Sequence, residues 1–124
     1  MNKYIRKELY PIEHILSKSV PTTTRSAESK VDFDGDLINM NSIRYNLFKD
    51  KGVTCISCGI EGRYFAKERD PNSDVQPYHF NLYGLDENGN EMLMTKSKII
   101  PKSEGGTEHL SNYDVKCYKC NCLK

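Results

Sequence analysis

Tryptophan is absent, and only 37% of the 124 residues are hydrophobic. A core built from so little apolar material is modest, so a metal staple is a natural supplement in a chain this short. No run of about 18 apolar residues occurs, and nothing in the sequence reads as a membrane-spanning helix. An excess of one charge is missing too: 18 basic residues face 17 acidic ones, for a net charge of +1. That balance gives no global electrostatic case for nucleic acid and requires any basic footprint to be local. The opening stretch MNKYIRKELYPIEHIL carries neither an apolar signal core nor a small-residue cleavage site, so a reducing, cytoplasmic setting is the expectation. Internal repeats and low-complexity tracts are lacking. One domain is the prior for this length, with residues 1–30 read as an extension and linker and residues 31–124 as the domain.

Cysteine is what the chain has in a pattern. Four of its five cysteines form two Cys-x-x-Cys pairs, Cys55/Cys58 and Cys117/Cys120. In a reducing compartment this spacing reads as metal ligation before disulfide formation. Two thiolates two residues apart grip one ion from a tight turn, and two such knuckles complete the tetrahedron of a structural zinc site. The competing reading is two unrelated redox or buried pairs. Cys122 is left over as a free thiol or a competing ligand.

Periodicity and turn chemistry outline an α+β chain. Pro11 to Val20 reads as a short helix with Ile12, Ile15 and Leu16 on one face, and SVPTTTRSAESK as a flexible linker. VDF and LINM flank Asp34-Gly35 as a hairpin. Asn41 is placed to cap a helix, SIRYNLFKDK, that stops at Gly52 and carries Ile43, Leu47 and Phe48 as its apolar stripe. RYFAKE, YHFNLYGL and EMLMTKSKII read as strands, the last two joined by the turn DENGN. Asp32, Asp34 and Asp36 imitate part of a calcium loop, but no glutamate stands at the twelfth position, so turn chemistry is the preferred reading. DENGNE is read the same way. His14 is placed on the N-terminal helix, and His79 and His109 are read as a structural strand histidine and a solvent-facing loop histidine.

The stretch KSKIIPKSEGGTEHLSNYDVKCYKCNCLK resembles the core of an HNH nuclease. That family's pattern runs from an Asp-His pair ending a strand through Ile-Ile-Pro, a Gly-Gly loop, an Asn and a Cys-x-x-Cys knuckle to an Asn or His opening a helix. Ile99-Ile100-Pro101, Gly105-Gly106, Asn112, Cys117/Cys120 and Asn121 fall in place here. With Cys55/Cys58 and the stretch DGDLINMNSIRYNLFKDKG upstream, residues 31–124 are similar to the HNH proteins of bacteriophage genomes. The resemblance implies a small zinc-stapled ββα-metal, treble-clef-like domain. It also implies a structural zinc beside the catalytic motif and a divalent cation, Mg2+ or Mn2+, in an active member.

The chain departs from that pattern where the chemistry is done. Ser97 and Lys98 stand where the resemblance places the Asp-His pair. A protonated lysine offers no lone pair and repels a cation, and a serine is a poor substitute for a carboxylate on a hard metal. Ser97, Lys98, Asn112 and Asn121 therefore mark a degenerate centre, with no catalytic Mg2+ or Mn2+ and no nuclease activity expected. What remains is a mild local excess of charge. Residues 91–124 carry Lys96, Lys98, Lys102, Lys116, Lys119 and Lys124 against Glu91, Glu104, Glu108 and Asp114. These lysines either contact DNA phosphates or merely solvate the surface and balance an anionic zinc site. Three function classes follow: a nucleic-acid-binding or regulatory module, an active metal-dependent DNA endonuclease, and an inhibitor that binds a host or phage protein.

Overall fold

The computed structural model describes residues 4–72 and 77–123. Five strands form one antiparallel sheet in the order β1-β4-β5-β6-β7: β1 is Ile5–Tyr10, β4 Gly62–Arg69, β5 His79–Leu85, β6 Glu91–Lys98 and β7 Tyr113–Cys117. β2 (Lys30–Phe33) and β3 (Asp36–Asn39) make a separate hairpin. The helices are α1 (Ile12–Leu16), α2 (Ser26–Ser29), α3 (Ile43–Lys51) and α4 (Tyr118–Cys122). The chain is a small α+β domain, and no helix among the described residues is long and apolar enough to cross a membrane.

Local chemistry explains most elements. The β2–β3 turn holds Asp34 at φ 55° and Gly35 at φ 97°, the pair of left-handed residues that an Asp-Gly hairpin supplies. All three aspartates of DFDGD are engaged. Asp32 accepts from the Gly35 N–H at 2.9 Å, Asp34 from the Tyr10 hydroxyl, and Asp36 pairs with Lys67 and Lys7. That is turn and ion-pair chemistry. Helix α3 is capped by Ser42, whose Oγ accepts from the Arg44 N–H at 3.1 Å, and not by Asn41. Asn41 instead donates to the Thr24 carbonyl. The helix ends at Gly52, as its left-handed φ of 95° requires. Leu47 and Phe48 face the core with Tyr45, while Ile43 is only partly buried. The β5–β6 turn is tied by Asp86, which accepts from the Asn88 and Asn90 N–H groups, each at 2.9 Å.

Three corrections concern the rest. First, the residues read as an extension and linker belong to the fold. β1 pairs with β4 as an edge strand. The segment after α1 is fixed by Val20 N–H to the Met40 carbonyl at 3.0 Å, and by the Asn46 side chain to the Val20 carbonyl at 2.8 Å. α1 itself covers five residues, with Ile15 fully buried. Second, β7 was not expected, and it pairs with β6 from Met94↔Cys117 to Lys98↔Tyr113. Third, α4 starts at Tyr118, directly behind Cys117, and not at Asn121.

The core lies between one face of the sheet, the β2–β3 hairpin and α3. Phe33 and Phe80 meet edge-on at 4.8 Å, joined by Tyr10, Tyr45, Phe65 and Phe48. On β4 the run Phe65, Ala66, Lys67, Glu68 is buried on both faces, since consecutive strand residues point to opposite sides. Lys67 Nζ satisfies itself with the Phe33 carbonyl at 2.8 Å, Glu8 at 2.6 Å and Asp36 at 2.7 Å. Glu68 accepts from Arg6, Asn81 and Tyr83.

Candidate metal centre and lysine pocket

Cys55 and Cys58 follow α3 in a tight turn. Cys55 N–H donates to the Ile60 carbonyl at 2.9 Å, Gly59 N–H donates to the Cys55 carbonyl at 3.0 Å, and Gly59 sits at φ 82°. Ile56 N–H donates to the Val115 carbonyl at 3.0 Å, which fastens this knuckle to β7. The second knuckle is the β7–α4 junction, where Cys117 Sγ accepts from the Cys120 N–H at 3.5 Å. The four sulfurs of Cys55, Cys58, Cys117 and Cys120 all lie within 4.8 Å of one another, and this group can hold a metal ion. Cys55 and Cys117 are buried, Cys58 is exposed, and no pair among them is disulfide-bonded. Cys122 is exposed and outside the group.

The electrostatics of the group suit a cation. Burial pushes the Cys55 thiol up. The N–H groups of Cys117, Cys58 and Ser57 outweigh it and bring Cys55 down to about 6. Cys120 is pushed up to about 12, first by its contact with Cys117, and burial raises Cys117. Four sulfurs this close cannot all carry charge by themselves, because each thiolate opposes ionisation of the next. A bound cation removes that opposition.

The second feature lies where β6 ends. Lys96, Lys98 and Lys102 line one open pocket of about 480 Å³ together with Pro101, Glu108 and Tyr113. Lys98 forms an ion pair with Glu108, whose other oxygen accepts from the Tyr113 hydroxyl at 2.6 Å. The Lys98 ammonium, with the Tyr113 hydroxyl second, holds the Glu108 carboxyl down to about 2. The reciprocal bond from Glu108 pushes the Tyr113 phenol up to about 12. Lys96 Nζ stands 4.7 Å from the centre of the Tyr113 ring.

The pocket owes its shape to Asn112. Just past the end of β6, the Ile99 N–H donates to the Asn112 carbonyl at 2.8 Å, in the register of the β6–β7 pair. The Asn112 side chain then accepts from the Ile100 N–H at 2.9 Å and donates to the carbonyls of Ile100 at 3.0 Å and Thr107 at 2.8 Å. Gly106 fits beneath: a Cβ there would stand 1.7 Å from the Ile100 carbonyl oxygen.

The other sequence-selected residues are distributed differently. Asn121 donates to Thr95 Oγ1 at 3.1 Å and to the Lys96 carbonyl at 3.2 Å, and its Oδ1 is buried without a partner. Ser97 is buried, and strand alternation turns its side chain to the face opposite Lys98. Ser97, Lys98, Asn112 and Asn121 therefore do not converge on one point: Lys98 faces Glu108, and Asn112 is committed to the loop. The six lysines separate as well. Lys119 lines a different groove, beside Cys58 and Cys120. Lys116 is next to the Lys96–Lys102 pocket in sequence register but does not line it, and Lys124 lies outside the described residues. His109 accepts from the Ser111 N–H and stays in its loop, His14 stacks on Tyr10, and His79 is half-buried with Tyr4 at its edge. Glu108 and Tyr113 were missed by the sequence reading. Nothing in TEHLSNYD distinguishes a pocket acid from a solvated one. Compared with protein-family models, with curated proteins and with solved structures, the chain matches none, so its function is argued from the cysteine group and the lysine pocket themselves.

Proposed function

We propose that this chain is a zinc-stapled, HNH-like module without a competent hydrolytic centre, which holds nucleic acid through phosphate contacts. The observation that carries the reading is the convergence of Lys96, Lys98 and Lys102 on one pocket with the hydroxyl of buried Tyr113. Phosphate oxygens are the acceptors that such a donor set suits, and phosphate contacts position a protein without reading bases. The strand–strand–helix order of β6, β7 and α4, with Asn112 clasping the loop between the strands, supports the likeness to the ββα unit of HNH nucleases. Zinc is supported by the sulfur spacing. Tetrahedral Zn–S bonds of about 2.3 Å give an edge of about 3.8 Å; the four sulfurs lie within 4.8 Å of one another, and one pair, Cys58 and Cys117, is 3.8 Å apart. A four-thiolate set favours zinc among abundant divalent ions.

Lys98 cannot act as a general base while protonated and paired with Glu108. Duplex DNA should therefore bind but stay intact with magnesium or manganese. The decisive experiment is a salt titration of duplex binding. Three phosphate contacts give a slope of log K on log salt of about −2 to −3, and alanines at Lys96, Lys98 and Lys102 should flatten it. Absence of binding at low salt, or binding indifferent to the triple variant, would sink the reading and leave a protein partner as the alternative. One observation favours a second reading, the metal-dependent nuclease. Asn121, placed by the resemblance at the helix beside the catalytic centre, keeps a buried amide oxygen without a partner, and such an oxygen is a hard-cation ligand. A nicking assay with and without chelator decides that case.

A further inference from the structure

We propose that the Glu108 carboxylate is a resident, displaceable stand-in for a phosphate oxygen in the lysine pocket, so that anion entry and the outward swing of Glu108 are one event. The inference rests on the phosphate-binding reading above.

The donors are built and the acceptor is not. Tyr113 is 2% exposed, so its ring is fixed by the core and its hydroxyl has a set direction. Lys98 is held at the end of β6, its side chain 22% exposed. Lys96 is laid across the Tyr113 ring. Glu108, by contrast, is 71% exposed and comes from a loop whose neighbours Thr107 and His109 are also exposed. Its two carboxylate oxygens take one donor each, Tyr113 for Oε1 and Lys98 for Oε2. The non-bridging oxygens of a phosphodiester accept the same kinds of bond. An exposed ion pair contributes little, so an entering phosphate loses little by evicting it. Until evicted, the carboxylate repels the polyanion it imitates. The loop need not unravel when Glu108 leaves. Asn112 still holds Thr107 and Ile100, one residue before Glu108 and beyond the far rim. The swing is confined to Glu108 and its immediate neighbours.

The test is a binding cycle read by NMR titration with inorganic phosphate and by salt-dependent binding of duplex DNA. The variants are Glu108→Gln, Lys98→Ala, the two combined, and Glu104→Gln as a charge control from the same loop that does not line the pocket. Glu108→Gln should tighten both ligands by about two- to fivefold, the range an exposed pair's strength corresponds to. It should also steepen the salt slope for DNA by about one, because one more cation is free to meet phosphate. Phosphate should shift the Tyr113 ring signals in the unaltered protein. In the Lys98→Ala background the gain from Glu108→Gln should vanish, and Glu104→Gln should give none. If Lys98→Ala weakens binding but Glu108→Gln does not tighten it, displacement is overturned while the phosphate reading stands. A gain equal to that of Glu104→Gln, or one that survives Lys98→Ala, overturns it too. If neither the unaltered protein nor Glu108→Gln binds phosphate or duplex, both readings fall.

Discussion

Asn112 uses its whole side chain to close the loop after β6, with one bond accepted and two donated. Replacing it by alanine strands the Ile100 N–H and two carbonyls in a half-buried place. The expected loss is about 1–3 kcal/mol, read as a lower urea midpoint with faster amide exchange at Ile100. Gly106 closes the same loop from the other side. Gly106→Ala puts a methyl where the Ile100 oxygen already is, and overpacking of that kind costs roughly 1–3 kcal/mol. Since both residues shape one loop, the double variant should lose less than the sum of the single losses. A strictly additive result would show that the two act independently. Phosphate binding should weaken in both, because Lys102 hangs from this loop.

The edge strand β1 is held to the sheet by charges as well as by main-chain bonds, and a charge also ties the β2–β3 hairpin to it. Arg6 bridges Glu68 at 2.7 Å and Glu91 at 2.9 Å, which joins β1, β4 and β6. Lys67, with no solvent exposure, gathers Glu8 of β1 and Asp36 of β3. Asp36→Asn leaves that ammonium with Glu8 and one carbonyl, and should cost about 1–3 kcal/mol by denaturant unfolding. The same contacts fix an acid limb. The hydrogen bond from Lys67 foremost holds the Asp36 carboxyl below its ordinary value of 3.8, and Arg6 foremost holds Glu91 below 4.5. In that range the unfolded chain binds more protons than the folded one, so stability falls as the pH falls. The stabilisation is complete above these ordinary values and is lost as the pH drops through the lower folded ones. Urea midpoints measured from pH 7 to pH 3 should fall below about pH 4.5, less steeply in Asp36→Asn. A flat profile would contradict the ion-pair account.

At the scale of the whole molecule, the cysteine group joins residues 55–58 to residues 117–120, and so ties the turn after α3 to the last strand and helix. Cys55 and Cys117 also belong to the apolar core. Without a metal the four sulfurs are crowded, and Cys120 resists ionisation up to about 12. Chelation under reducing conditions should therefore lower the thermal midpoint sharply, and exchange at Ile56, whose N–H is bound to Val115, should accelerate first. Elemental analysis should return about one zinc per chain. Unchanged thermal stability after complete chelation would mean that the aromatic core around Phe33, Phe65 and Phe80 suffices alone.

The sequence by itself determined whatever is written in adjacent residues. Two Cys-x-x-Cys pairs name a ligand set, because two thiolates on one turn already face one ion. Asp34-Gly35 names a hairpin and Gly52 a helix end, because left-handed backbone angles are cheap only for such residues. Only the tertiary structure decided the rest. IRKELY is half charged and became an edge strand because β4 offered main-chain partners some 60 residues away. YDVKC was hidden beside its own cysteine knuckle and became β7 through pairing with β6. Lys67 and Glu68 look like surface residues, yet both are buried, since their opposite charges arrive from β1 and β3 and neutral donors to Glu68 from β5. The same rule governs the pocket. Six lysines looked like one cluster along the chain, but strand alternation and the Asn112 clasp brought three of them to Tyr113 and Glu108 and sent the described others elsewhere. Conformation at a turn is set by the residue that makes it, whereas burial and pairing of charge depend on partners that only folding brings within reach.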